Sequence, residues 1–331
     1  MEPETIIGGF ASIRGHEQVV DRLEHAITAG RVHHAYYFTG PDGVGKASTA
    51  VALAQAMSCN EAPGRGCGHC SACSRLGRNI HPDLVWVQAD GKQIKIQQIR
   101  QLEERLAQGA HEAKALVILV DQVDRLNVHA ANALLKNLEE PRSGVHFVLV
   151  SAASHRVPIT VRSRCQQVRF GPLAEEVVAQ LVAERMSLGA AEAARVARLA
   201  DGSLTRALML VDHEDFPVWQ DWVVRLAAGP LPQADVPGQV QTLVREVDDP
   251  EPVLRLLLLR LRDHVLLAAD VATGRLVQVQ PDTPEAQRAS RRPLVVAQRR
   301  LAAVEAGLRD LRFYVNKHLA LERVLLQLSS P

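Results

Sequence analysis

The stretch Gly40-Pro41-Asp42-Gly43-Val44-Gly45-Lys46 decides the fold. It fits the first seven positions of the phosphate-binding loop G-x-x-x-x-G-K-[ST], it follows an apolar run at 36–38, and an Ala-rich helical pattern at 47–57 follows it. Glycines let backbone N–H groups surround phosphate oxygens, and the helix N-terminus and a lysine add positive charge. We therefore predict that Gly40, Gly43, Val44, Gly45 and Lys46 bind a nucleotide. A glycine-rich turn with a chance lysine is the alternative.

Further strand and helix patterns alternate on both sides of this loop. Apolar runs lie at 84–87, 115–120 and 145–150, a short last strand is expected at 167–170, and helical patterns lie at 97–108 and 129–138. A continuous apolar run is typical of a central parallel strand, because both of its faces are covered. Strand, helix and strand in this order predict an α/β fold with a parallel sheet.

The eighth position of the loop departs from the motif. Ala47 stands where a Ser or Thr hydroxyl normally coordinates Mg²⁺. Ser48 is one residue late and points about a third of a turn away along the helix. We expect a loop that holds a nucleotide but holds its metal poorly, with Ala47 and Ser48 at the nucleotide.

The acidic end of the strand at 115–120 is altered as well. Asp121 is placed to reach Mg²⁺ through water, but Gln122 follows it, and a glutamine is a poor general base. Asp124 either compensates from a nearby loop or caps the next helix. We therefore expect little or no ATP hydrolysis by this chain.

Four of the five cysteines form a compact pattern. Cys59, Cys67, Cys70 and Cys73 have the spacing C-x₇-C-x₂-C-x₂-C, and four thiolates satisfy and close the tetrahedral shell of Zn²⁺. The role we expect is structural. His69 and His81 are alternative ligands, and an iron–sulfur cluster is the competing interpretation. Cys165 is expected to be a buried small apolar residue.

The pattern of the chain changes after residue 172, from alternating strands to helices. We predict a P-loop domain at 1–172 with the zinc module at 59–73, a small helical lid domain at 173–212 and an all-α domain at 213–331. Within the last domain, Pro- and Gly-rich composition predicts a flexible stretch at 229–238 and a mobile loop at 273–292. Helical cores are expected at 253–269 and 294–328.

Composition excludes several classes of protein. The 331 residues carry a formal net charge of +1, so no global field attracts nucleic acid or a membrane. Aromatic residues make up 4%, which disfavours a stacking platform for single strands. The N-terminus lacks a signal-peptide pattern, and no apolar run approaches the roughly 20 residues of a membrane helix. We expect a cytoplasmic protein without membrane contact.

Several segments together resemble one family. The chain resembles bacterial clamp-loader subunits of DNA polymerase III. The segments that carry this resemblance are the opening 13–17 with 30–36, the four-cysteine insertion after the P-loop helix, the run 131–141, the tripeptide Ser163-Arg164-Cys165 and the end of the chain around 316–326. That resemblance covers nearly the whole chain, most weakly at 213–310. It implies an AAA+ core, a helical lid and an oligomeric collar.

Within this family the chain resembles the delta-prime branch more than the gamma/tau motors. Ala47 and Gln122 weaken metal binding and water activation, and Thr205 stands where the motors carry a nucleotide-sensing arginine, with Arg206 shifted by one. The resemblance implies gamma/tau and delta subunits, the sliding clamp and, through the complex, primed DNA as partners. ATP or ADP is an implied ligand of the loop.

The resemblance also implies a role for Arg164, that of an arginine finger reaching into the ATP pocket of a neighbouring motor subunit. The alternative is that Arg164 merely pairs with a surface carboxylate. Alternatives for the whole chain are an ATP-hydrolysing gamma/tau-type motor, a scaffold that never contacts nucleotide, and a zinc-stabilised nucleotide kinase. The kinase does not explain 132–141 followed by Ser163-Arg164-Cys165.

Overall fold

The computed structural model describes residues 8–229, 232–271, 276–312 and 316–329. These residues form two compact units. One contains the described residues up to Ala197 together with 201–206, and the other contains 198–200 and the described residues from Ala207 onward. The predicted three-part division, with boundaries at 172 and 212, stays a prediction.

A five-stranded parallel sheet forms the centre of the first unit, as predicted. Its order is β2-β3-β4-β1-β5, with the strands β1 (Ala35–Thr39), β2 (Leu84–Val87), β3 (Leu116–Val120), β4 (Val145–Ser151) and β5 (Gln166–Arg169). Every residue of β1 and β3 is buried, which explains their continuous apolar runs. Because these strands are parallel, the carboxyl ends of β1, β3 and β4 lie at one edge of the sheet. Ligands of open α/β sheets bind at such an edge.

Helices alternate with these strands in the first unit. They are α1 (Glu17–Thr28), α2 (Lys46–Ser58), α3 (Ser71–Gly77), α4 (Ile96–Gln108), α5 (Val128–Glu139), α6 (Ile159–Arg162) and α7 (Glu175–Met186). Amphipathic α4 buries Ile99, Leu102 and Leu106 in the same apolar core as Leu134 of α5 and Phe147 of β4. In contrast, α2 is buried on most of its surface, as its run of alanines allows.

The described part of the second unit is helical. The helices α8 (Ala190–Ala200) and α9 (Leu204–Asp212) each contribute residues to both units. The helices that belong to the second unit alone are α10 (Phe216–Ala228), α11 (Val236–Glu246), α12 (Glu251–Ala268), α13 (Pro284–Ser290), α14 (Leu294–Arg312) and α15 (Lys317–Ser329). The core expected at 253–269 therefore corresponds to α12. The one expected at 294–328 is two helices, with 313–315 outside the described residues.

Two loop predictions in this unit were wrong in part. Residues 273–292 contain α13. This helix starts with Pro284, and the Thr283 hydroxyl caps its N-terminus. The buried Asp263 also accepts hydrogen bonds from the backbone N–H groups of 277–279. Similarly, Pro237 lies in the first turn of α11. Proline is tolerated in the first turn of a helix, where its missing N–H is not needed, and Pro284 and Pro237 are the first and second residues of their helices. Residues 230–231 and 272–275 lie outside the described residues.

Among the described residues, no helix combines the length and apolar character needed to cross a bilayer.

Candidate functional site

The predicted phosphate loop connects β1 to α2 at the edge of the sheet where the carboxyl ends of the strands lie. Gly40, Gly43 and Gly45 have φ angles of 151°, 72° and 97°. These lie in the left-handed region, which a residue with a Cβ adopts only at a cost. At Gly40 a Cβ would also lie 2.2 Å from the Phe170 carbonyl oxygen. The backbone of this loop therefore requires glycines.

Lys46 is the first residue of α2, and its side chain is folded back onto the loop. It is 5% exposed, and Nζ donates hydrogen bonds to the carbonyl oxygens of Gly40, at 3.0 Å, and of Pro41. Burial lowers the pKa of Lys46, and the charges of Asp42, Asp121 and Asp124 partly oppose this. The two loop carbonyls thus provide hydrogen-bond partners for the buried ammonium.

The segment 203–205 lies directly against the loop. The backbone N–H of Leu204 donates to the Gly43 carbonyl at 2.8 Å, and a Cβ on Gly43 would lie 2.2 Å from Ser203 Oγ. Arg206 follows this segment, and its Nη1 lies 4.0 Å from Asp201 Oδ2. The sequence identified this segment as a departure from the motor pattern. It did not predict that the segment contacts the phosphate loop.

His16 is a loop neighbour that sequence reasoning missed. It is 7% exposed, its ring meets Phe170 edge-on at 4.9 Å, and its Nε2 lies 2.8 Å from the Val44 carbonyl oxygen. Because a carbonyl only accepts, Nε2 carries the proton. Burial lowers the pKa of His16. The available signal was a histidine in the opening 13–17, but nothing in the sequence connects it to residue 44.

The start of α2 lacks a hydroxyl at the metal position. Ala47 and Ser48 are both half-buried, and Ser48 is one position further along the helix. The Thr49 hydroxyl is committed to the Gly45 carbonyl at 2.8 Å. Both residues lie in the first turn of α2, directly after the loop, and only a methyl group stands at the eighth position of the motif.

The acidic strand end lies at the same edge of the sheet. Burial raises the pKa of Asp121, as do the charges of Asp42 and Asp124, while the N–H of Gln122 and the charge of Lys46 oppose the shift. Gln122 is exposed and has a left-handed φ of 54°. Asp124 does not cap α5, because Asn127 does so by accepting from the N–H of Ala130. Instead, Asp124 accepts from Ser151 Oγ at 2.6 Å.

The four predicted cysteine ligands converge. The Sγ atoms of Cys59, Cys67, Cys70 and Cys73 all lie within 4.8 Å of one another, and those of Cys59 and Cys70 are 4.0 Å apart. Tetrahedral Zn²⁺ with Zn–S bonds of about 2.3 Å requires sulfur separations of about 3.8 Å. The donor set therefore fits zinc with small adjustments. The sulfur atoms would close the shell of the ion and leave no position for water.

Backbone N–H groups point at these sulfur atoms. Cys59 Sγ accepts from the N–H groups of Ala62, at 3.2 Å, and Cys67, at 3.4 Å, while the N–H of Cys70 donates to Cys67 Sγ and that of Cys73 to Cys70 Sγ. Burial raises the pKa of Cys59, but these donors outweigh it and lower the pKa to about 6. These donors thus favour the thiolate of Cys59, the form that binds metal, whereas burial raises the pKa of Cys67 and of Cys73. His81 is buried away from the cluster, where its Nδ1 accepts from the N–H of Asp83.

Gln55 of α2 connects this module to the start of the described chain. Its side chain is fully buried, Oε1 accepts from the N–H of Gly9 at 3.1 Å, and Nε2 donates to the Cys73 carbonyl at 2.8 Å. The N–H of Phe10 donates to the Arg65 carbonyl at 3.0 Å. One amide therefore holds the P-loop helix, the cysteine module and the N-terminal segment together.

Gln55→Leu is expected to destabilise the zinc-loaded protein by about 2–4 kcal/mol, because the N–H of Gly9 and the carbonyl of Cys73 are left buried without these partners. Urea unfolding measures the loss. Gln101→Leu, at an exposed position on α4, is the matched control and should change stability by less than about 0.5 kcal/mol. Equal stability of the two variants would contradict the role of Gln55.

Arg164 lies between α6 and β5, and its side chain is 35% exposed. Its Nη2 is 2.5 Å from Glu139 Oε1, and Nη1 donates to the Thr160 carbonyl at 2.8 Å. The pairing with a carboxylate that the sequence left as an alternative is thus present in the isolated chain. An exposed pair of this kind contributes only about 0–1 kcal/mol, so the guanidinium is easily released. Cys165 is half-buried against the apolar core, and burial raises its pKa to about 12.

Comparison with known proteins gives a consistent set of relatives. Residues 15–174 match the family described as DNA polymerase III, delta subunit. The DNA polymerase III subunit tau of Salmonella typhimurium is 34% identical over 210 residues, which is 62% of this chain and 33% of that protein. Subunit delta' of Bacillus subtilis is 35% identical over 168 residues, 51% of each chain. Subunit gamma/tau of Mycobacterium bovis is 29% identical over 97% of this chain and 61% of its own length.

The parallel sheet, the phosphate loop and the thiolate cluster define a P-loop α/β protein with an inserted cysteine module. The chain is similar over residues 15–174 to the family described as DNA polymerase III, delta subunit, and to the tau and delta' subunits of DNA polymerase III. It spans about a third of the length of the tau subunit and about half of the delta' subunit to which it is similar.

Proposed function

We propose that this chain is a delta-prime-like subunit of a clamp loader, one that assists motor subunits rather than hydrolysing ATP itself. One observation carries the proposal: the backbone of the phosphate loop and Lys46 are intact, yet Ala47 and Gln122 occupy the metal and water-activating positions. A glutamine side chain does not accept a proton at neutral pH, and a methyl group does not coordinate Mg²⁺.

In this proposal Arg164 acts on a neighbouring ATP site. It is partly exposed, it follows the short helix α6, and its guanidinium contacts Glu139, the Thr160 carbonyl and the Ser163 hydroxyl at the surface. A guanidinium that swings from that pair to a nucleotide would neutralise the charge that develops on the transferred phosphoryl group. Gamma/tau and delta subunits, the sliding clamp and primed DNA would be its partners in the cytoplasm. Zinc would be a structural cofactor, and the helical region from 213 onward would form the collar.

The second candidate is an ATP-hydrolysing gamma/tau-type motor. Identities of about a third with tau subunits support it, as does Lys46. A nucleotide-independent scaffold is the third, and the three loop glycines with positive φ count against it, because a scaffold has no use for an anion-binding loop.

A nucleotide assay on the isolated, zinc-loaded chain separates these candidates. We expect no measurable ATP turnover, and ATP binding that Mg²⁺ hardly changes, because the loop lacks the hydroxyl that coordinates the metal. Equilibrium binding with and without Mg²⁺ is measured beside phosphate release. Lys46→Ala should weaken any binding, and Ala47→Thr should make it dependent on Mg²⁺. Brisk hydrolysis that Lys46→Ala abolishes would establish the motor, and no binding at all would favour the scaffold.

A further inference from the structure

A second group of potential metal ligands lies on the outer side of the cysteine module. Glu61, Cys67 and His69 have ligand atoms that all lie within 4.8 Å of one another. His69 Nδ1 is 3.2 Å from Glu61 Oε2, and the two side chains are 76% and 53% exposed. Cys67 belongs to both this group and the four-cysteine cluster, whereas Glu61 and His69 have no part in the cluster.

The spacing of this group suits a tetrahedral ion. With zinc bonds of about 2.0–2.1 Å to nitrogen and oxygen, two ligand atoms lie about 3.3 Å apart. The separation of His69 Nδ1 and Glu61 Oε2 is close to that value. Three protein ligands of the His, carboxylate and thiolate types also leave a fourth position for water, as in open zinc sites.

The shared sulfur makes the two sites compatible. A thiolate in a four-cysteine zinc centre keeps lone pairs, so Cys67 Sγ can bridge two ions. Four thiolates around one Zn²⁺ carry a net charge of −2, and the Glu61 carboxylate adds another negative charge beside them. A second divalent cation at this position is therefore attracted by its surroundings.

We propose that Glu61, Cys67 and His69 form a second, solvent-open zinc site that shares Cys67 with the four-cysteine centre. This site holds zinc more weakly than the closed centre, because two of its ligands are exposed and must be held in place. The proposal does not rest on clamp loading. It requires only that the four cysteines hold the first ion.

Zinc stoichiometry of the full, reduced chain tests the proposal. The chain is equilibrated with Zn²⁺ by dialysis, and bound metal is counted by mass spectrometry. We expect two zinc ions per chain at saturation and one after dialysis against a chelator of moderate affinity. His69→Ala and Glu61→Gln should each bind one ion at saturation, which also shows that the closed centre is intact. The controls His318→Ala and Glu104→Gln, at exposed positions elsewhere, should bind two.

Other outcomes overturn the proposal. A single ion bound by the unaltered chain at saturation means that Glu61 and His69 form an ordinary ion pair. Two ions bound by His69→Ala place the second ion elsewhere. Loss of all zinc from His69→Ala means that His69 supports the closed centre rather than a second site.

Discussion

Replacement of Arg164 by alanine is expected to lower the rate of ATP hydrolysis at the neighbouring site of an assembled loader by roughly 10³-fold. The side chain would lose the guanidinium that neutralises developing charge on the phosphoryl group, while the chain itself stays folded. Within the chain, the substitution removes a partly exposed pair with Glu139, and such a pair contributes about 0–1 kcal/mol to stability. The total ATPase rate of the complex should fall by the fraction of hydrolysis that this one site contributes.

Steady-state ATPase of the reconstituted complex, stimulated by clamp and primed DNA, measures this effect. Arg164→Lys keeps the positive charge but lacks the planar guanidinium with its paired N–H donors, so it should restore only part of the rate. Arg100→Ala removes an exposed arginine from α4 and is the matched control. Unchanged ATPase of Arg164→Ala in a fully assembled complex would sink the arginine-finger proposal, even if this chain itself proves inert toward ATP.

Removal of zinc is expected to have the largest effect on stability. A structural zinc centre contributes its binding free energy to folding, and this reaches about 10–16 kcal/mol in isolated peptides. In this chain the core of the first unit remains, so we expect a loss of several kcal/mol and a fall in melting temperature of at least about 10 °C. The N-terminal segment should detach as well, because Gly9 and Phe10 bond to Gln55 and Arg65 beside the module.

Calorimetry of the zinc-loaded and chelated protein measures the stability, and hydrogen exchange measures protection of the Gly9 and Phe10 amides. Cys73→Ser should reproduce the chelated state. Cys165→Ala is the matched control, since Cys165 lies half-buried against the sheet core away from the module and should leave zinc content unchanged. Protection at Gly9 that survives zinc loss would mean that Gln55 alone holds the segment.

Sequence reasoning was most successful where a short stretch of sequence is sufficient to determine the local structure. The buried strand at 116–120 is a continuous apolar run because both sides of a parallel strand are covered. The thiolates of residues 59–73 converge because short C-x-x-C steps bring them together with little chain between. The prediction of a mobile loop at 273–292 was wrong in part, because composition does not show which proline begins a helix.

The residue types and spacings of this chain, by themselves, determined the parallel sheet, the phosphate loop, the missing hydroxyl at Ala47 and the four-cysteine module. Only the tertiary structure decided what surrounds them. Four of its contacts join residues that are far apart in the sequence. They are the contact of Leu204 with Gly43, the bond of His16 to Val44, the amide of Gln55 between Gly9 and Cys73, and the pairing of Arg164 with Glu139. Such contacts depend on how packed elements approach one another in space, and no periodicity or spacing along a single chain records that approach.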